Sequence, residues 1–514
     1  MLHIKSGQDW NFEMLSSIYE ELDIINNEKY QLQIYPNQIE IISSEQMLDA
    51  NSSVALPVMF PYWQFGETFI LNSENYKRGE GGLAYEVVTN TNPALVYCME
   101  DNSAVMQALV FAHAGFGHNY FFANNYFFKQ WTDADSIIDY LVFAKNYVLS
   151  CEEKYGAKEV EKMLDACYAL QYYGVDKYKR PPKLSVDQEK NNEIEREKFI
   201  QSQLNEVWST IPNYNNQKSK QHNDFKFPKE PQENILYFLE KNAPKLKPWQ
   251  REIIRIVRKI TQYLYPQMQT NVTNEGCASF WHYKFMHDLY DKGMLSDGAM
   301  HEFYKSHTGV VNQYPYTKTS QINPYALGFA IYRDIERISM NPTIEDKEWF
   351  KDHDWVGNGD WLKNVKYAAE NFKNDSFILQ YLSPKVIRDL KLFVVDDKYK
   401  EHHNVTAIHN DQGYKKIRSA LSKKYSFSSL LPDIQIVKAD IYGNRKLYLE
   451  YKNYDERPLN PENVQDTLNH LSWLWGYDVE LRSLDKNDIV TNTFGNVLPF
   501  NTIDYPIFDA FPHI

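Results

Sequence analysis

The stretch AVMQALVFAHAGFGHNYFF, from Ala104 to Phe122, is apolar around nearly its whole circumference when it is drawn as a helix. A helix without a polar face belongs in the middle of a fold, so this stretch predicts a central and buried helix. Asn102 and Ser103 come directly before it and are residue types that cap helix N-termini. The surrounding chain is therefore expected to pack around this helix.

Two histidines, His113 and His118, interrupt the apolar stretch five residues apart. Five steps along a regular α-helix turn the chain by about 500°, which would leave the two imidazoles roughly 140° apart. Gly115 and Gly117 lie between them and weaken an α-helix, and a π-bulge or a break would return both rings to one face. If the histidines share a metal ion, the helix must be distorted here. Otherwise each one is a hydrogen-bonded histidine of the core.

A second stretch, TNEGCASFWHY from Thr273 to Tyr283, places Glu275 and His282 two helical turns apart and within about 20° of one face. A carboxylate in such apolar surroundings normally needs a partner or a metal ion. Carboxylate and imidazole ligands together suit zinc or another divalent transition metal. We therefore predict a metal site formed by His113, His118 and Glu275, with His282 as a fourth ligand; for His282 a supporting hydrogen bond or a packing role is the alternative.

Two carboxylates that flank the histidine helix in sequence, Glu86 and Glu100, are the candidates for a catalytic base. Each of them also has a structural role as its simpler explanation. The same holds for other polar side chains, for which surface, capping or salt-bridge roles are the commoner explanation: His287, His301, His307, Arg180 and Arg333.

Length and composition restrict the class of protein. A chain of 514 residues predicts two to four domains, and 43% hydrophobic residues supply their cores. The sequence has no uncharged apolar run long enough to predict a membrane span. The N-terminal MLHIKSGQDW also lacks the pattern of a signal peptide, so we expect a cytoplasmic protein. The net charge of −13 argues against a broad nucleic-acid surface. Four scattered cysteines without a CxxC pair indicate reduced, buried thiols.

Patterning predicts an α+β protein in two parts. Residues 1–383 are mainly helical and contain a polar segment, 184–233, which we interpret as a mobile insertion or lid. Residues 384–514 alternate short strands and helices in the order β-α-β-β-α-β, which is the ferredoxin-like arrangement, and end in a C-terminal tail.

Several segments together resemble the SpoVR family, stage V sporulation protein R and its relatives in non-sporulating bacteria. They include GLAYEVVTNTNPALVYCMEDN, AHAGFGHNYFFANNYFF, NEGCASFWHY, KSHTGVV and RPLNPENVQDTLNHLSWLWG. The resemblance implies a cytoplasmic protein linked by name to formation of the spore cortex. It also implies two candidate partners encoded by neighbouring genes, a PrkA-like serine kinase and a von Willebrand-type domain protein.

A more local resemblance is to the gluzincin metallopeptidases, in which HExxH is followed downstream by NEGFA. HAGFGH followed by NEGCAS is similar in order, which implies a zincin-like N-terminal region with His113, His118 and Glu275 as ligands. Ala114 stands where those enzymes carry their glutamate base. Two hypotheses follow: a metal-dependent hydrolase of an amide or peptide bond, linked to sporulation or cell-wall processes, or a non-catalytic metal-binding regulator that works with a kinase-containing system.

Overall fold

The computed structural model describes residues 3–78, 85–177, 227–228, 230–314, 322–351, 353–396, 404–426, 431–441, 443–453 and 457–496. Over this part of the chain the protein is mostly helical, with short strands, and the predicted α+β class is confirmed. The predicted insertion at 184–233 falls almost entirely outside the described residues, as does Arg180. No helix among the described residues has both the length and the apolar character needed to cross a membrane.

The α-helices within the described residues are α1 (Phe12–Ile25), α2 (Ser44–Ser52), α3 (Trp63–Arg78), α4 (Ala104–Val110), α5 (Asn119–Asn124), α6 (Tyr126–Trp131), α7 (Ile137–Tyr155), α8 (Ala157–Ala169), α9 (Ile235–Asn242), α10 (Pro248–Asp291), α11 (Asp297–Val310), α12 (Pro324–Met340), α13 (Ile344–Trp349), α14 (Trp361–Asn371), α15 (Asn374–Tyr381), α16 (Pro384–Asp389), α17 (Asp411–Tyr425) and α18 (Pro461–Trp475). Two π-helices, Asn26–Tyr30 and Phe111–His118, and a 3₁₀ turn at Gln171–Tyr173 accompany them.

Within the described part of the chain, three small sheets contain the strands. β1 (Asn37–Ile42), β2 (Glu86–Thr89) and β3 (Ala94–Met99) form one sheet in the order β1-β3-β2, with β1 parallel and β2 antiparallel to β3. β4 (Val394–Asp396) pairs with β5 (Asn404–Ala407). The third sheet contains β6 (Ile434–Ala439), β7 (Leu447–Lys452), β8 (Val479–Leu484) and β9 (Val490–Asn496) in chain order.

The chain divides into two compact units, one formed by residues 1–157 and 262–430 and the other by residues 158–261 and 431–514. In the first unit the predicted central helix is buried, and so are all eight residues of Phe111–His118. Phe111, Phe116 and Tyr120 belong to its hydrophobic core together with Trp281 of α10. The stretch from Ala104 to Phe122 therefore lies in the core, as its apolar circumference predicts.

The two units differ from the predicted division at residues 383 and 384. The sequence predicts α17 as part of the C-terminal domain, but this helix places Ile417 and Leu421 in the core of the first unit. In the second unit Leu170 and Ile235, from the part of the chain before residue 262, line one apolar cavity with Leu449 of β7. Apolar side chains distant in sequence thus complete each core.

The predicted ferredoxin-like topology also differs from the observed sheet. The order β-α-β-β-α-β is present from β5 to β8, but β5 pairs with β4 and not with the sheet of β6 to β9. In that sheet β6 and β7 are antiparallel, β7 and β8 are parallel across the connection through α18, and β9 forms the final edge. The observed unit is therefore a β-β-α-β-β arrangement.

Candidate metal centre

The two histidines are connected by a π-helix. Phe111–His118 is π-helical and continues α4 into α5 without a break. A π-helix bonds each residue to the fifth residue along, so positions five apart lie on one face. The ring centroids of His113 and His118 are 4.6 Å apart, and the predicted distortion of the helix is confirmed.

Close packing at glycine fixes this segment against α10. A Cβ atom on Gly117 would lie 2.6 Å from the Cα atom of Ala278, so only glycine permits this approach. The contact brings the histidines beside the turn of α10 that contains Glu275. The two motifs that the sequence predicted to converge therefore meet in the first unit.

Glu275 lies between the two imidazoles. Its Oε2 atom is 3.3 Å from Nε2 of His118 and 3.7 Å from Nε2 of His113. The three ligand atoms all lie within 4.8 Å of one another. Burial raises the pKa of Glu275, but the two histidines outweigh it and hold the pKa well below its usual value. The carboxylate is therefore ionised at neutral pH.

Asn274 orients the second imidazole. Nδ1 of His118 lies 2.8 Å from Oδ1 of Asn274, which accepts its proton, so the other ring nitrogen faces Glu275. Burial lowers the pKa of His118, but the charge of Glu275 and these hydrogen bonds raise it overall. A hydrogen bond that fixes one ring nitrogen is the usual support of a histidine metal ligand.

Of the two predicted bases, one is at the site. Glu86 begins β2, and its Oε1 atom lies 3.7 Å from Nε2 of His113, with the side chain 19% exposed. Burial raises the pKa of Glu86, and the two neighbouring histidines offset the rise only in part. Glu100 is exposed in the turn after β3, and no ion pair within the described residues joins it to the histidines.

His282 lies behind His113 and not among the three grouped ligand atoms. Its Nδ1 atom is 2.8 Å from Nδ1 of His113, and its Nε2 atom is 2.7 Å from Nδ1 of His307. Seven residues along a helix correspond to about 10 Å, so Glu275 and His282 lie on the same face of α10 but at different positions along its axis. The expected fourth ligand is therefore a hydrogen-bond partner of His113. Burial lowers the pKa of His282, and it lowers that of His307 to about 4.

The remaining predicted side chains have ordinary roles. His287 is hydrogen-bonded to the Tyr283 carbonyl and the Tyr304 hydroxyl group, and His301 is exposed. The guanidinium group of Arg333 lies over the Tyr283 ring at 4.6 Å. Among the described residues of this group, only His307 connects to the cluster, through its hydrogen bond with His282.

Tyr325 was not predicted from the sequence. It lies in the first turn of α12, and its phenol group lies beside the carboxylate of Glu275. Burial, together with the negative charges of Glu275 and Glu86, raises its pKa, so the phenol stays protonated. The contact depends on close packing of α12 against α10, where a Cβ atom on Gly328 would lie 2.7 Å from Cα of Gly276. The motif NPYALG gives no sequence signal for such tertiary contact.

The residues present fit a divalent transition metal. Oε2 of Glu275 is shielded from solvent and has no hydrogen-bond partner, which is costly for a carboxylate oxygen. Three ligands at the bond lengths usual for zinc, about 2.0–2.1 Å in a tetrahedral arrangement, would lie about 3.4 Å from one another. The distances of 3.3 and 3.7 Å from Glu275 to the histidines are close to that value.

Comparison with known proteins identifies relatives along the chain. A family model described as SpoVR like protein matches residues 9–430, and one described as SpoVR-like C-terminal domain matches residues 432–486. The "Uncharacterized protein YcgB" of Escherichia coli (strain K12) is 50% identical over 487 residues, which cover 94% of each chain. No solved structure matches the chain. The boundary between the two family matches lies where the second structural unit resumes at residue 431.

Proposed function

The chain belongs to the SpoVR family, and we propose that it is a metal-dependent hydrolase of amide or peptide bonds, with zinc or another divalent transition metal held by His113, His118 and Glu275. One observation carries the metal proposal. The buried Oε2 atom of Glu275 faces two imidazole nitrogens at 3.3 and 3.7 Å without a hydrogen-bond partner. A divalent ion would satisfy this oxygen and both nitrogens together.

The surroundings favour catalysis over a purely structural site. The two carboxylates Glu86 and Glu275 are each 19% exposed, whereas the His113 and His118 side chains are 5% and 8% exposed. The two carboxylates are thus the more exposed members of the cluster. Catalytic zinc sites have three protein ligands and an open position, in contrast to closed structural sites.

Glu86 is placed to move a proton during hydrolysis. When bound, the metal ion supplies a Lewis acid that polarises a carbonyl group and lowers the pKa of water. Glu86 would take a proton from water as the water oxygen bonds to the carbonyl carbon. It would then return that proton to the amine nitrogen as the C–N bond breaks. A carboxyl group whose pKa is raised by burial suits both halves of this transfer.

The hydroxyl group of Tyr325 would be a second polar group, beside Glu86, on the same side of the site. This hydroxyl group lies near Glu275 and keeps its proton, so it could donate to an oxygen that gains negative charge. We place the substrate among amides linked to sporulation or cell-wall processes, in line with the family's name.

A non-catalytic regulator is the second candidate. The observation in its favour is Ala114, which is fully buried at the position where zinc peptidases with HExxH carry their catalytic glutamate. In this case the metal would stabilise the fold, and the kinase or von Willebrand-type protein implied by the family would be the partner. Hydrolysis that depends on Glu86 would exclude this candidate.

Metal analysis of the full-length protein tests the proposal. We expect about one divalent ion per chain in the wild type and in His287→Gln, a control on the same helix, and loss of the ion in Glu275→Gln. The glutamine keeps the size of Glu275 but removes its charge. Full occupancy in Glu275→Gln, or no uptake by the wild type offered Zn²⁺, Mn²⁺, Fe²⁺ or Co²⁺, would overturn the metal site.

A further inference from the structure

The return from the π-helix to α5 leaves one carbonyl group without a partner in its own helix. The π-helix ends at His118, and the N–H group of Asn119 bonds to the carbonyl oxygens of Ala114 and Phe116. The carbonyl of Gly115 lies between these two and is skipped, because the spacing of the helical bonds changes here from five residues to four. A buried carbonyl group that loses its helical bond needs another donor.

The side chain of Asn37, at the start of β1, supplies this donor. Its Nδ2 atom lies 2.9 Å from the carbonyl oxygen of Gly115 and donates a second hydrogen bond, also of 2.9 Å, to the hydroxyl group of Tyr19. A Cβ atom on Gly115 would lie only 3.3 Å from this nitrogen, so glycine leaves the room that the amide needs. The skipped carbonyl is therefore satisfied by a strand and not by its own helix.

A second amide, that of Asn119, fixes the orientation of the first. Its Oδ1 atom accepts from the backbone N–H of Tyr35, and its Nδ2 atom donates to the Tyr35 carbonyl, both at 2.8 Å. The same Nδ2 atom donates to Oδ1 of Asn37 at 2.8 Å. Because the backbone of Tyr35 offers one donor and one acceptor, it determines which end of the Asn119 amide meets Asn37. Oδ1 of Asn37 then faces Asn119, and its Nδ2 atom is left to face Gly115.

Loss of the Asn37 side-chain bond would change where the π turn lies. Leucine has nearly the shape of asparagine but neither a donor nor an acceptor, so the buried carbonyl of Gly115 would be left without a bond. Moving the π turn along the helix exchanges this carbonyl for another. Once the turn lies outside the interval from His113 to His118, a regular α-helix joins the two residues and their rings are roughly 140° apart.

We propose that Asn37 and Asn119 form an amide latch that holds Phe111–His118 in the π form and so keeps the imidazoles of His113 and His118 on one metal ion. The inference rests on the proposed metal site and deepens it, because it names what controls the direction of two of the ligands. Asn37 is a positioning residue: it acts through the carbonyl group of the segment between the two histidines.

Zinc affinity of the full-length protein, measured by competition with a chelator, tests the amide latch. Asn37→Leu should bind zinc about 10- to 100-fold more weakly than the wild type, as the loss of residues that orient a ligand does elsewhere. Gln38→Leu is the matched control, since Gln38 is exposed on the same strand and its amide bonds to Glu40. Equal affinity in Asn37→Leu and the wild type would overturn the latch alone. Absence of zinc uptake by the wild type would overturn the metal site.

A deletion separates positioning from a general contribution to stability. Deletion of Gly115 in the Asn37→Leu background leaves the two histidines four residues apart, on one face of a regular α-helix that has no skipped carbonyl. Zinc affinity should therefore return close to the wild-type value, whereas a variant that is merely less stable would not regain it. Zinc binding that stays weak after the deletion would overturn the latch.

Cobalt absorption provides a readout of the ligands themselves. With Co²⁺ as the probe, Asn37→Leu should show visible bands that differ from those of the wild type, because one imidazole has left the ion, and the deletion should restore them. Identical bands in Asn37→Leu and the wild type would contradict the latch. If Asn37→Leu does not fold, the double variant decides: zinc binding by a folded double variant supports the latch, and an unfolded or zinc-free double variant overturns it.

Discussion

At the scale of single residues, a substitution at Glu86 separates its proposed catalytic role from binding of the metal ion. Glu86→Gln should retain the metal ion and lower hydrolysis of amide or peptide substrates by about 10²- to 10⁴-fold, because glutamine cannot take up a proton. Glu100→Gln is the control, since Glu100 is exposed and away from the histidines. The measurements are metal content and turnover of a peptide library by the zinc-loaded protein. Loss of the ion in Glu86→Gln would identify Glu86 as a ligand instead.

The residues of the cluster differ in how well the sequence could predict them. The sequence allows three of them to be recognised, because they are ionisable residues in apolar stretches: His113, His118 and Glu275. The structure brings these three side chains together. Helical periodicity predicts the face on which His282 lies but not its position along the axis, so the sequence leaves both a ligand and a supporting hydrogen bond open, and the structure has the hydrogen bond to His113. Tyr325 reaches Glu275 only through tertiary packing, which no local pattern expresses.

At the scale of elements, the contact between α10 and α12 depends on two glycines. A Cβ atom on Gly328 would lie 2.7 Å from Cα of Gly276, so Gly328→Ala should force the helices apart and destabilise the first unit by about 1–3 kcal/mol. Gly309→Ala is the control, because nothing lies within 4 Å of its added Cβ atom. Urea unfolding of both variants measures the difference. Equal stability would show that the helices can shift without cost.

The π-helix illustrates which elements are predictable. A five-residue spacing of histidines, combined with glycines, made a regular α-helix incompatible with a shared site, and the element follows that requirement. The four-stranded sheet is the opposite case. The sequence predicts β6, β7 and β8 in their observed order, but it does not predict β9, and it does not predict β4, the neighbouring short strand with which β5 pairs.

At the scale of the whole molecule, the second unit needs two separated parts of the chain. Leu170 and Ile235 line the same apolar cavity as Leu449, Leu468 and Leu481, so residues 431–496 alone lack part of their core. We expect this fragment to be unfolded and to fold when it is joined through a linker to residues 158–261. Amide dispersion in NMR spectra of the two fragments gives the answer, and a dispersed spectrum for residues 431–496 alone would contradict it.

The π-helix between the histidines has a further consequence, for the history of the sequence. A π-helical turn inside an α-helix corresponds to one inserted residue. Removing one residue between His113 and His118 would leave two histidines four apart on a regular α-helix, which is the spacing in HExxH. Insertion or deletion at this point therefore preserves the direction of both rings. A single insertion or deletion could therefore convert one histidine spacing into the other while both histidines stay on the same face of the helix.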